Sequence, residues 1–178
     1  KLEHKNMADY AFQYFIDHFI DEEEGGVYWM LDHNGIPLDG KKQIYAQSFA
    51  IYAFAEYHLL TKNQLALGCA VELFWLIEKY SHDQKQGGYF EAFNRSWKKK
   101  EDLRLSEKDQ NEAKTMNTHL HILEAYTNLY RIDPTQKLKS ALEHLISLFL
   151  EKFIRTDSGQ LNLFFDEHWN LKSKAISY

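Results

Sequence analysis

The stretch DQKQGGYFEAFNRSW, residues 83–97, has a counterpart upstream in DEEEGGVYWMLDHNG, residues 21–35, and a more divergent one downstream in DSGQLNLFFDEHWN, residues 157–170. Each copy opens on an acidic residue, turns at glycine, runs through an aromatic-rich strand-like stretch and ends in an acidic or polar turn. Paired glycines suit a turn with positive φ, and the residues after them suit a short hairpin. The period is about 62 residues for the first pair and about 71 for the second, long enough for two helices between successive copies.

Apolar periodicity places one helix ahead of the first copy, at about residues 3–20, and fills the intervals with four more, at about 42–61, 63–81, 111–131 and 134–154. Pro134 suits a first helical position, with Asp133 before it as a cap. A unit of helix, short hairpin and helix cannot bury its apolar face alone, so successive units must stack. The expected fold is therefore all-α: part of an α/α toroid, with about five helices in helical hairpins and short β-hairpin inserts between repeats. The second helix, with QIYAQSFAIYAFAEY at 43–57, carries no charge until Glu56, as an inner helix buried on most sides would. A four-helix bundle competes, but it does not explain an insert after every second helix.

Bulk properties narrow the function. The chain has 178 residues and a net charge of −5, which gives no electrostatic case for nucleic acid or an anionic membrane. Lys98-Lys99-Lys100 reads as a solvated loop beside Glu101 and Asp102. No segment has the eighteen or so apolar residues that span a bilayer. The single cysteine, Cys69, excludes an internal disulfide framework and reads as a small core residue. With no charged-then-apolar leader, a cytoplasmic location is the expectation. The chain begins with Lys and stops at SKAISY, and reads as an excerpt of a longer protein. Aromatics make up 15% of residues, which suits sugar stacking as well as ordinary cores.

The fourth helix carries the chemistry. In AKTMNTHLHILEAYTNLY, residues 113–130, Leu120, Leu123, Thr127 and Tyr130 have core spacing. Asn117, His121 and Glu124 fall at i, i+4 and i+7 and share one face. His119 points to a roughly opposite side, which removes a helical metal pair, since that needs i, i+3 or i, i+4 spacing. No metal site is expected elsewhere, because the other histidines are scattered. On the second helix Tyr45 and Phe49 are also i, i+4, with Gln47 and Tyr52 on other faces. For Tyr45 and Phe49 composition alone favours core packing over a pocket wall, whereas a polar bridge between helices explains Asn117 and His121 as well as a pocket does. There is no Walker loop, dinucleotide fingerprint, nucleophile elbow or His-Glu-x-x-His.

RLSEKDQNEAKTMNTHLHILEAYTNLYRIDP at 104–134 closely resembles the cellobiose 2-epimerase branch of the N-acylglucosamine 2-epimerase family. So do KKQIYAQSFAIYAFAEYH at 41–58, LFWLIEKYSHDQKQGGYFEAFNRSW at 73–97 and FFDEHW at 164–169. The resemblance covers nearly the whole chain. It implies a single incomplete (α/α)6 barrel domain over residues 1–178, lacking the first helix and the C-terminal half. It implies cofactor-free interconversion at C2 of a reducing-end sugar: the ring opens, one histidine removes the C2 proton to give an enediolate, and a second returns a proton to the other face. A base with a pKa near 7 suits the first step, and placed donors suit the charge that develops.

In that scheme Asn117 and His121 are a supporting catalytic pair, and Tyr45 and Phe49 line the pocket beside the sugar. The main acid/base histidines are expected outside this chain. One lies in a SYGHDIE-like motif that would begin at Ser177-Tyr178. The implied substrate is a β-1,4-linked disaccharide such as cellobiose. N-acylglucosamine 2-epimerase and mannose-type aldose–ketose isomerase are the alternatives within the family, a glycoside hydrolase is the alternative on the same toroid, and a non-catalytic sugar-binding fragment is the last. The resemblance implies a monomeric parent. An open half-barrel alone is expected to be inactive and to self-associate through its uncovered walls.

Overall fold

The computed structural model describes residues 2–172; the expectation for Ser177-Tyr178 lies outside them. Five α-helices follow one another: α1 Leu2–His18, α2 Ile44–Thr61, α3 Gln64–Tyr80, α4 Met116–Tyr130 and α5 Gln136–Leu148. The last runs on into a π-helical turn, Phe149–Phe153. Among the described residues five short strands lie between them, β1 Met30–Leu31, β2 Pro37–Asp39, β3 Lys42–Gln43, β4 Ala92–Phe93 and β5 Lys114–Thr115, and β6 Phe164–Phe165 follows the last.

Two helix starts differ from the sequence expectation for one reason. Lys42–Gln43 and Lys114–Thr115 are not first helical turns; they pair antiparallel with Phe93–Ala92 and Phe165–Phe164, so α2 and α4 begin only at Ile44 and Met116. The Ile44 and Met116 N–H groups, orphaned at the helix ends, donate to Glu91 O and Leu163 O of the next unit. The start of α5 also moves. Thr135, not Asp133, is its N-cap, with Oγ1 accepting from Leu138 N at 3.4 Å, and Pro134 precedes the cap.

The core face of α4 is not the one the spacing suggested. Ile122, Ala125, Tyr126 and Leu129 are fully buried, whereas Leu120, Leu123 and Tyr130 are half-buried and Thr127 is exposed. Several flanks of an inner helix are apolar, so periodicity alone does not say which flank meets the neighbours. Here Tyr126 packs edge-on to Phe74 of α3, with ring centroids 5.0 Å apart. On α1, Phe12 stacks on Tyr57 of α2 at 4.2 Å and meets Phe54 edge-on. Cys69 is half-buried against this core.

The inserts are built to one plan. Asp21 and Asp83 each close a turn in which their own N–H donates to the second glycine's carbonyl (Gly26, Gly88) and their carbonyl accepts from the first glycine (Gly25, Gly87). The third turn keeps this backbone pattern but starts at Arg155, with Gly159 and Gln160 in the glycine places. The third copy therefore begins two residues before the acidic Asp157 that marked it in the sequence, and its acidic residue is lost. Each hairpin then ends at a residue with positive φ: Gly35, Trp97 and Trp169.

Both tryptophans reach back onto the preceding turn. Trp97 Nε1 donates to Glu24 O at 2.9 Å and Trp169 Nε1 to Gln86 O at 3.0 Å, and their rings lie over Gly26 and Gly88. The second glycine thus answers two demands at once. Gly26 has φ +77°, and a Cβ there would sit 2.8 Å from the Trp97 ring and 2.9 Å from Gln47 Oε1. Gly26→Ala is expected to cost about 2–4 kcal/mol, from left-handed backbone strain plus overpacking. Gly68→Ala, inside α3 with open space for its Cβ, should instead stabilise by about 0.5–1 kcal/mol. Denaturant midpoints of the two variants that moved the same way would contradict this reading.

Candidate active site

Inner helices α2 and α4 lie side by side and form a groove of about 630 Å³, whose walls include Phe49, Tyr52, His121, Glu124, Thr127 and Arg131. Three expected site residues meet at its upper end. The His121 imidazole lies 4.8 Å from the Tyr45 ring, edge to face, and 4.7 Å from the Phe49 ring; Tyr45 and Phe49 are themselves 4.8 Å apart. Phe49 is 44% and Tyr52 45% exposed, so their ring faces are offered to whatever fills the groove. Plain core packing does not describe Phe49, while Tyr45 is half-buried.

Behind the imidazole, His121 Nδ1 is 2.8 Å from Glu124 Oε2 one turn further along α4. At the lower end, Arg131 donates to Asn128 Oδ1 at 2.7 Å and to Glu56 Oε1 at 3.2 Å, and Asn128 Nδ2 donates to Tyr52 O. These contacts tie α4 to α2 and fix the groove's width.

Asn117 is exposed one turn before His121 on the same face of α4. It borders a neighbouring cleft with Glu91, Leu103, Asp109 and Met116, beneath the 101–112 loop. Glu91, buried at the floor of this cleft, escaped the sequence reading. Its Oε1 accepts from Thr115 N at 2.8 Å and its Oε2 from Thr118 Oγ1 at 2.6 Å, so it grips the first turn of α4. Burial pushes its carboxyl up to about 8, against the lowering effect of the Thr118 and Thr115 hydrogen bonds.

His119 has no place in the groove. It is fully buried on the far side of α4, with Nδ1 2.7 Å from Thr115 O and Nε2 accepting from Tyr89 N at 2.9 Å. Gln47, one unit earlier, does the same for the first turn: its Oε1 accepts from Val27 N at 2.8 Å and its Nε2 donates to Val27 O at 2.9 Å. Both stand five residues after a buried lysine, Lys42 or Lys114, that pairs with the turn's aspartate at 2.7 Å. Asp21 is also held by Arg95, whose Nε and Nη2 each donate at 2.8 Å. No sequence signal marked these lysines as buried.

No helix of the described residues is long and apolar enough to cross a membrane. Comparison with known proteins supplies what geometry alone does not. A cellobiose 2-epimerase of Bacteroides fragilis is 54% identical over 176 residues, covering 99% of this chain and 45% of that protein. One of Dictyoglomus turgidum is 39% identical over 178 residues, again covering 45% of the relative. The solved cellobiose 2-epimerase of Bacillus thermoamylovorans superposes with a TM-score of 0.92 at 41% identity, over 97% of this chain and 44% of that one. The chain thus spans about half the length of the relatives it matches. The arc of helical hairpins is part of an (α/α)6 toroid. The family model described as N-acylglucosamine 2-epimerase matches residues 2–176; over essentially its whole length, then, the chain belongs to the N-acylglucosamine 2-epimerase family.

Proposed function

We propose that this chain forms part of an enzyme that reversibly epimerises C2 of the reducing-end glucose in β-1,4-linked disaccharides, converting cellobiose to glucosyl-mannose through ring opening and an enediolate. The observation that carries it is the His121 imidazole packed against both the Tyr45 and Phe49 rings, with His121 and Phe49 in the wall of an open groove. Aromatic faces beside a few convergent polar groups suit a sugar, whose C–H faces are apolar and whose edge is polar. In this reading Asn117 and His121 hold sugar oxygens as a supporting pair, and a donor such as the Asn117 amide steadies the charge that develops on the enediolate.

Epimerisation needs a proton removed from one face of C2 and another delivered to the opposite face. Among the described residues a single imidazole, His121, lines the groove. We infer that the 178-residue chain does not turn over by itself. Incubation with cellobiose should yield no glucosyl-mannose, and clear turnover would refute this.

In the longer protein His121→Ala should lower kcat/KM by about 10²–10³-fold, the usual cost of losing a placed hydrogen-bonding group. A loss under about threefold would remove His121 from the mechanism. A product panel on that protein decides the substrate class. Glucosyl-mannose supports the proposal; turnover of N-acylglucosamine or free mannose, or release of monosaccharide, would each replace it.

A further inference from the structure

Which nitrogen of His121 carries its proton is set by the group behind the ring. We propose that Glu124 is a positioning residue: it holds neutral His121 as the Nδ1–H tautomer, so that Nε2 meets the sugar as a hydrogen-bond acceptor. The proposal rests on the sugar-pocket reading above, but its first half stands on geometry alone. His121 Nδ1 lies 2.8 Å from Glu124 Oε2. A carboxylate only accepts, so the proton between them belongs to the imidazole. In a neutral ring the other nitrogen then carries the lone pair. Among the described residues Nε2 has no hydrogen-bond partner.

Other contacts keep the ring in this orientation. Tyr45 meets it edge to face, with planes at 85°, and Phe49 lies against it at 45°. The i, i+3 relation places Glu124 on the helix face that bears His121, so no loop movement is needed to form the pair. The Glu124 side chain is 52% exposed and that of His121 19%, so the carboxylate stands at the solvent side of the groove while the imidazole is sheltered.

The arrangement gives His121 a direction. An Nε2 acceptor takes a hydrogen bond from a sugar hydroxyl; an Nε2–H donor would instead stabilise an oxyanion. With Glu124 in place the neutral imidazole does the first, and the donors to an enediolate oxygen come from other groups, Asn117 Nδ2 among the candidates on this face.

His119 supplies an internal standard. Its Nε2 accepts from a backbone N–H and its Nδ1 faces a carbonyl, so it too must be the Nδ1–H tautomer, and only in the folded chain. The test is a long-range proton–nitrogen correlation spectrum of this chain labelled with ¹⁵N-histidine. It is recorded on the alkaline side of imidazole titration, with His121 assigned through His121→Gln. His121 is expected to show a protonated Nδ1 in the unsubstituted chain. It should move to the Nε2–H form in Glu124→Ala and stay Nδ1–H in Glu124→Gln, whose amide oxygen still accepts. The His119 signals should be unchanged throughout. An Nε2–H form in the unsubstituted chain, or an Nδ1–H form that persists in Glu124→Ala, overturns the proposal.

A second arm uses the longer protein. Glu124→Ala should lower kcat/KM on cellobiose by about tenfold, with Glu124→Gln recovering most of it, as for other groups that orient a functional histidine. Undiminished turnover by Glu124→Ala also overturns the proposal. Failure of the epimerase reading shows differently: the unsubstituted longer protein would not act on cellobiose, while the tautomer result would stand.

Discussion

Replacing Lys114 with methionine is expected to destabilise the chain by about 3–5 kcal/mol, the cost of breaking a buried ion pair from one side. The Lys114 side chain has no exposed surface. Its three ammonium protons match three acceptors: Asp83 Oδ2 at 2.7 Å, Gly87 O at 2.9 Å and Glu167 O at 2.9 Å. The ammonium also lies over the Trp169 ring at 4.7 Å. One side chain thus joins the second turn, the third hairpin and the start of α4. Methionine fills similar space but leaves two carbonyls and a carboxylate without their donor.

Asp83 adds a pH signature to the same variant. Burial raises its pKa, but the Lys114 hydrogen bond and the Lys85 and Gln86 backbone N–H groups outweigh burial and hold it below the usual carboxylate range. Its folded value is below its unfolded one. Its contribution is therefore complete above the unfolded value and is lost as pH falls through the folded value. Lys114→Met should shrink that acid-side loss. Lys42→Met should cost less, because Arg95 still grips Asp21 through two nitrogens. Denaturant titrations of the two variants decide it, and Lys114→Met costing no more than Lys42→Met would remove the argument.

What the sequence made legible and what it hid divide along physical lines. The Gly-Gly pairs and apolar periods are local, so the recurring inserts and the five helices could be read directly. Lys42 and Lys114 could not. A lysine ahead of a helix reads as a solvated residue unless its aspartate partner, 21 or 31 residues upstream, is known to close over it. The third insert was misplaced because its start was sought in an acidic side chain, while the chain preserves only the backbone turn, with Arg155 where the aspartate had been. Helix geometry separated His119 from His121 correctly. It could not say that His121 would find Tyr45 and Phe49 across a helix boundary; that expectation came from the resemblance, and the three rings do meet.

His119→Gln is expected to fold and to lose much of the chain's sensitivity to mild acid, whereas His119→Ala should cost about 3–5 kcal/mol at neutral pH from the cavity and the lost acceptor. Burial pushes the His119 pKa down to about 3; the Thr115 carbonyl opposes this, and the Lys114 and His144 charges reinforce it. Protonation would cancel the acceptor that Nε2 offers to Tyr89 N, leaving two donors facing each other. The folded value is depressed below the unfolded value of about 6.5. The neutral ring's contribution is therefore complete above that pH and is lost as pH falls toward 3, a loss of several kcal/mol over the window. Gln47 already performs this task without a titrating group, accepting from Val27 N and donating to Val27 O. Glutamine at 119 can accept from Tyr89 N as His119 does, and can donate to Tyr89 O as Gln47 does to Val27 O, but it gives up the Thr115 contact of His119. It gives up the ring's packing on Phe153 and Trp169, whose centroids lie 5.0 and 5.6 Å away, at about 1–2 kcal/mol near neutrality. Stability measured by denaturant as pH is stepped from neutral to about 4 separates the cases. The His119→Gln slope should flatten, and a slope equal to that of the unsubstituted chain would place the acid sensitivity in another group.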